Sequence, residues 1–328
     1  MKTMNAHTNG FRQLANHIRM CGELACLLEV SATPKPGNVH RFRDFEDVRY
    51  EDFLASSVAF GPFIEELAMK GLLLKQEKIN WEQLGLGATI KETIKSSTLF
   101  RSNSNTNLGI ILLLSPLCVA AGMCIDKDES ICNLKDLQTN VIKVMKNTTI
   151  EDSIHVSQGI VLAQPGGLGE VEKFDVNDPT LNEELRENNV NLLALMENCK
   201  DRDNICFELT NGYPITFDLG LATLNRSLII GKNINLAIID TYLAILSEYP
   251  DTLISRKFGA VKAQEIALRA KSIIKLGGAL TIDGRRELEE FDIELREEEE
   301  KINPGTTADL IASTIFVYLL SGGKLTYS

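Results

Sequence analysis

From one end of this chain to the other, apolar residues recur at three- and four-residue spacing and almost nowhere alternate. That spacing marks one face of an α-helix, whereas a half-buried strand needs a period of two. Residues 11–30 put Leu14, Ile18, Cys21, Leu24, Ala25 and Leu28 on one stripe. Residues 53–74 repeat the pattern with Leu54, Val58, Ile64, Leu67 and Leu72, with a bend expected near Gly61-Pro62. Residues 81–98 carry Leu84, Leu86, Ile90 and Ile94. Further helices are expected over 134–145, 154–163, 180–195, 205–209, 219–230, 234–246, 259–276, 285–301 and 306–320. The best strand candidates, Ile229-Ile230 and Leu280-Thr281-Ile282, are too short to build a sheet. The spacing predicts an all-α fold: one multi-helix, bundle-like domain over residues 1–328.

The run 108–125 is uncharged, but Ser115-Pro116 interrupts it and its length is marginal for a bilayer, so a buried core helix is expected. A formal charge of −11 argues against a nucleic-acid or anionic-membrane surface. A polyanionic small molecule would then need local cations, helix N-termini or a metal to offset the field. The seven cysteines form no C-x-x-C pair, and their number is odd. Several lie in apolar helical stretches, where cysteine acts as a small core residue. No apolar signal-peptide core opens the sequence, and a soluble protein of the reducing cytoplasm is expected.

Four loops share a recipe of glycine, a polar or charged cluster, and then a helix. In the first, Thr33 to Asp52, two prolines flanking Lys35 exclude helix and Gly37 opens conformations closed to other residues. Lys35, Arg41 and Arg43 could meet phosphates, and Asp44, Asp47 and Asp52 a bridging divalent cation; a solvated connection is the plainer alternative. In the second, Asn105-Thr106-Asn107-Leu108-Gly109 places small polar groups at a helix start, suited to capping or to an anion. In the third, Gln164-Pro165-Gly166-Gly167-Leu168-Gly169 has neither the Walker nor the dinucleotide order, and Asp175 follows as a metal ligand or turn residue.

The fourth, Asn303-Pro304-Gly305-Thr306-Thr307-Ala308-Asp309, opens the last helix as a capping box of Thr306 with Asp309, or as a phosphate cradle. Asp251 and Arg256 stand about one helical turn apart and could pair, and Arg202-Asp203 reads as a salt bridge. With four histidines and no nucleophile constellation, the chemistry left is phosphate handling by cations and carboxylates.

In order along the chain, these loops resemble the triphosphoribosyl-dephospho-CoA synthase family. The shared segments are Ser31 to Gly37, Phe53 to Ser56, Asn105 to Gly109, Pro165 to Gly169 with Asp175-Val176, Arg202-Asp203, Asp251 to Arg256, and Asn303 to Leu310. The resemblance implies an all-helical enzyme that uses ATP with Mg²⁺. The 2′-hydroxyl of 3′-dephospho-CoA would attack C1′ of ATP and displace adenine. Asp44, Asp47 and Asp309 are its candidate catalytic carboxylates. Lys35, Gly37, Arg41, Asn105, Thr106, Asn107, Gly109, Gly166, Gly167, Arg256, Gly305 and Thr306 are candidate nucleotide contacts. Asp47, Asp175 and Asp251 are candidate metal ligands, and a homodimer is compatible with the reading.

Two family positions differ. Asn107-Leu108 stands where His-Lys is usual, and Phe45-Glu46-Asp47 stands for His-x-Asp, with His40 nearby but off register. A second reading therefore keeps the nucleotide site and changes the acceptor, as in a related transferase or kinase. A third is a non-catalytic nucleotide-binding helical protein.

Overall fold

The long uncharged run becomes a helix buried on every side, and the rest of the chain is wrapped around it. The computed structural model describes residues 2–97, 107–125, 131–168, 173–297 and 301–327, with side chains from residue 10 onward. Among the described residues there are fifteen α-helices and no strand. They are α1 (Lys2–Ser31), α2 (Tyr50–Lys75), α3 (Leu86–Ser97), α4 (Leu108–Cys124), α5 (Leu134–Lys146), α6 (Ile150–Ala163), α7 (Leu181–Glu187) and α8 (Leu192–Glu197). There follow α9 (Asn204–Asn211), α10 (Leu221–Gly231), α11 (Ile234–Glu248), α12 (Thr252–Phe258), α13 (Ala260–Lys275), α14 (Ile282–Glu297) and α15 (Gly305–Leu320). None is long and apolar enough to cross a membrane.

Two helices form the axis of the molecule. Helix α4 is buried from Ile110 to Met123, and α15 is buried along most of its length from Thr306 to Leu320. A helix that is apolar all round is stable only when neighbours cover it on every side. Helices α2, α3 and α5 cover α4, while α15 packs on α1, α4, α11 and α12. The last helix therefore ties the first part of the chain to the part that follows α9.

Pro116 lacks the N–H that would bond the Leu112 carbonyl, and side chains bond the carbonyls on either side of it. Ser115 Oγ donates to the Ile111 carbonyl (2.6 Å), and the buried Tyr213 hydroxyl donates to the Leu113 carbonyl (2.8 Å).

Several sequence expectations shift here for local reasons. The helix expected over 180–195 divides into α7 and α8. Asn189 adopts a left-handed φ of 56°, and Asn191 caps α8 by accepting from Ala194 N–H. The helix expected from residue 81 starts at Leu86, after a turn in which Asn80 and Gln83 bond one another. Ile229-Ile230 closes α10, and Leu280 ends a 3₁₀ turn, Gly278–Leu280, that Thr281 joins to Ile282 at the start of α14. A π-helical turn, Ile215–Gly220, precedes α10. Cys21, Cys26, Cys118 and Cys132 are buried free thiols, as core packing requires, but Cys199 and Cys206 form a disulfide that their spacing did not announce.

Helices α2 and α4 cross at bare backbone. A Cβ at Gly71 would press on the Val119 carbonyl, and one at Gly122 on the Ala68 carbonyl. Neither neighbour is a flexible side chain, so the helices themselves must separate. Gly122→Ala should therefore cost about 1–3 kcal/mol of stability. Urea denaturation checks this as a lowered midpoint at unchanged slope.

Candidate active site

The loop from Thr33 to Asn38 is held from three sides. Asn235 brackets Thr33, accepting from its N–H (2.9 Å) and donating to its carbonyl (2.7 Å). Tyr242 on α11 donates to the Pro36 carbonyl (2.8 Å), and Gly37, at φ 70°, donates its N–H to Asp292 on α14 (2.9 Å). Asn38 reaches the Pro304 carbonyl just before α15 (2.8 Å). Arg296 braces the same loop through Asp292 (2.8 Å) and the Asn38 carbonyl. This anchoring turns Lys35 inward, where it is 1% exposed and ion-paired with Glu29 at the end of α1.

A second joint lies across from it. Asp251 is fully buried, and its carboxylate accepts four hydrogen bonds. One oxygen caps α12 through Leu253 N–H (2.9 Å) and Ile254 N–H (3.1 Å). The other takes the N–H (2.7 Å) and hydroxyl (2.8 Å) of Thr307 at the start of α15. Asp251 and Arg256 therefore do not pair. Arg256 binds Asp203, whose other oxygen caps α9 through Ile205 N–H (2.7 Å). Arg202-Asp203 is thus not a pair of its own.

Between these joints lies a cleft of about 280 Å³. Glu29, Lys35, Asp175, Arg202, Asp203, Arg256, Thr306 and Asp309 are among the residues of its polar lining. Phe45, Phe53, Leu108, Leu112, Leu168, Phe174 and Val176 are among the residues of its apolar lining. Gly109 of α4 and Gly305 of α15 also border it, so two long helices begin at the cleft with their positive ends. Two polar atoms of lining residues, Arg256 Nε and Asn303 Oδ1, are buried without a partner. Orphaned polar atoms in a cleft need a ligand or water to satisfy them.

Asp309 is an acid whose surroundings disfavour its charge. It does not close a capping box with Thr306; its carboxylate instead lies against Gly109 in the first turn of α4. The approach requires glycine at 109, because a Cβ there would overlap the carboxylate. Burial, followed by the negative charges of Glu29, Asp251 and Asp203, pushes its pKa well above the ordinary carboxylate range. Within the Glu29–Lys35 pair, burial pushes the acid up and the ammonium down, and their mutual attraction opposes both shifts.

The cleft therefore gathers Lys35, Gly109, Asp175, Arg256, Gly305, Thr306 and Asp309 from the sequence candidates. Asn107 is buried just before α4 and donates to Ser56 (2.8 Å), leaving its Oδ1 without a partner. Gly166 and Gly167 lie against the side chains of Lys257 and Arg256, while their neighbours Pro165 and Leu168 line the cleft.

Arg41 is exposed and binds the Ser31 carbonyl. Asp44 is exposed and accepts from Tyr50 N–H at the start of α2 (2.8 Å), and Asp47 is also exposed. None of these three lines the cleft. Asn105 and Thr106, with Gly169, lie outside the described residues. Asp47, Asp175 and Asp251 are not brought together, and no cluster of three or more His, Cys, Asp or Glu suited to a metal occurs among the described residues.

Sequence reasoning missed Glu29. The signal was present: Glu29 continues the stripe Ile18, Cys21, Ala25 at helical spacing, which puts a carboxylate at a core position.

Residues 15–326 match the family model for ATP:dephospho-CoA triphosphoribosyl transferase. Over 116 residues the chain is 33% identical to a probable 2-(5″-triphosphoribosyl)-3′-dephosphocoenzyme-A synthase of Pseudomonas fluorescens, covering 35% of this chain and 39% of the relative. Over 110 residues it is 34% identical to one from Azotobacter vinelandii, covering 34% and 37%. The matched stretches thus span less than two-fifths of these relatives. A solved structure provisionally named a triphosphoribosyl-dephospho-CoA synthase, from Archaeoglobus fulgidus, superposes with a TM-score of 0.62 at 26% identity, covering 84% of this chain and all of that one.

Asp251→Ala removes the cap of α12 and the clamp on Thr307 together, leaving buried N–H groups unpaired. A loss of about 2–4 kcal/mol is expected. Denaturant titration measures it, and Asp251→Asn should recover part of it by keeping the oxygen acceptor.

Proposed function

The chain belongs to the ATP:dephospho-CoA triphosphoribosyl transferase family, and from that premise we propose that it transfers the triphosphoribosyl group of ATP to 3′-dephospho-CoA with release of adenine. The observation that carries this reading is Asp309, a half-buried carboxylate of raised pKa in the cleft where α4 and α15 begin. A general base works best when its pKa is lifted toward the operating pH.

In this reading the acceptor's ribose 2′-hydroxyl gives its proton to Asp309 as its oxygen bonds to C1′ of ATP. The C1′–N9 bond breaks, and adenine leaves with the bonding pair and takes up a proton. The negative charge of Glu29, Asp203 and Asp309 favours the oxocarbenium-like centre that develops at C1′. The triphosphate stays on the transferred ribose. Lys35, Arg202 and Arg256, the N-terminus of α15 and the orphaned Arg256 Nε are suited to its oxygens.

A Mg²⁺ ion fits the donor chemistry through Asp175, whose carboxylate belongs to a residue lining the cleft, since Mg²⁺ commonly uses one or two carboxylates and completes its shell with phosphate oxygens and water. Bound there it would neutralise triphosphate charge. Asp251 does not fit that role, because four protein donors already occupy its oxygens. The cytoplasm is the compartment that supplies ATP and dephospho-CoA together.

One observation favours the reading with a different acceptor. Leu108 contributes an apolar side chain to the cleft wall where the family pattern has lysine.

Purified protein incubated with ATP, Mg²⁺ and dephospho-CoA should release adenine and form the matching adduct, both read by mass spectrometry. Bound ATP without adenine would move the assignment to another acceptor. Asp309→Asn should lower kcat by about 10²–10⁴-fold while ATP still binds. In the unaltered protein, kcat/KM should climb with pH over a range above the ordinary carboxylate pKa, because Asp309 must lose its proton to act. Asp309→Asn should erase that limb.

A further inference from the structure

Glu29 has no role in the chemistry proposed for the reacting atoms beyond its charge, yet it is 2% exposed and lines the cleft. The last turn of α1 leaves carbonyls without helical partners. Lys35 Nζ takes one of them, the Glu29 carbonyl (3.0 Å), and also binds the Glu29 carboxylate. An ammonium group has three N–H donors. These two bonds therefore leave one donor for an oxygen of a ligand in the cleft that Lys35 also lines.

The charged groups acting on Lys35 come from three elements. They are Glu29 of α1, Asp309 of α15 and Arg296 of α14. Glu29 is also the largest of the negative charges acting on Asp309.

We propose that Glu29 is a positioning residue: its carbonyl and carboxylate together pin the Lys35 ammonium at the cleft, with one donor left for a substrate phosphate oxygen. The inference rests on the transferase reading. A buried helix-end salt bridge would share the geometry, so the distinction lies in how the site titrates. Without the Glu29 charge, Lys35 loses its counter-ion and gives up its proton at lower pH. Asp309 is relieved of a like charge and also ionises at lower pH. Both limbs of the kcat/KM profile then move the same way, which lost packing alone does not produce.

The test compares wild type, Glu29→Gln and Glu29→Asp. With ATP, Mg²⁺ and dephospho-CoA, Glu29→Gln should shift both limbs of the profile downward by about one pH unit or more. KM for ATP should also rise. Glu29→Asp keeps the charge with a shorter reach, so its limbs should stay in place while KM for ATP rises. Independently of turnover, ¹³Cε-lysine NMR of the ligand-free protein should show Lys35 deprotonating at least about one pH unit lower in Glu29→Gln than in wild type. Wild type without turnover would sink the transferase reading while the NMR shift still reports on Glu29. Unmoved limbs together with an unmoved Lys35 titration, accompanied only by lower thermal stability, would overturn the inference.

Discussion

The carboxylate of Asp251 is the interaction on which the rest of this structure depends. It is buried, and it spends one oxygen on the start of α12 and the other on the start of α15. A buried carboxylate costs several kcal/mol unless strong donors surround it. Here the donors are helix-end N–H groups that would themselves be orphaned. Each side of the contact answers the other's desolvation, and the result fixes α15 relative to α12. Because α15 runs through the core between α1, α4 and α11, that joint sets where Thr306 and Asp309 stand.

The same device recurs around the cleft. Asp203 caps α9 with one oxygen and binds Arg256 with the other. Asp309 brings its carboxylate against Gly109 at the start of α4. Two aspartates thus cap helices beside the cleft, and a third faces the start of another. Asp203 has Arg256 as its counter-ion, whereas at Asp309 burial with like-charged neighbours raises the pKa. In the protein as a whole the formal charge is −11, and the cleft is where Lys35, Arg202, Arg256 and two helix ends offset that field locally.

Helix existence was legible wherever the apolar stripe was long, as in α1, α2, α11 and α15. It failed where asparagine chemistry overrode the stripe, at residues 188–191, because a residue that tolerates left-handed φ and caps well can end one helix and start another. Within the site, Lys35, Arg256, Thr306 and Asp309 could be picked out as candidates, since each sits in a glycine-, proline- or cap-rich loop. Their partners could not. Asp251–Arg256 looked like a pair at one-turn spacing, yet Arg256 found Asp203 across a gap of 53 residues. The Thr306–Asp309 spacing fits a capping box, yet the carboxylate went to α4 because Gly109 leaves room for it.

What the sequence alone determined was the helical class, the buried nature of the 108–125 run and the family pattern of its loops, because periodicity and local turn chemistry are properties of neighbouring residues. Only the tertiary structure decided which carboxylates serve as helix caps and which stands in the cleft. Every aspartate carries the same side chain, and its role follows from burial and from donors supplied by remote segments. Those contacts exist only once α4, α12 and α15 have packed together.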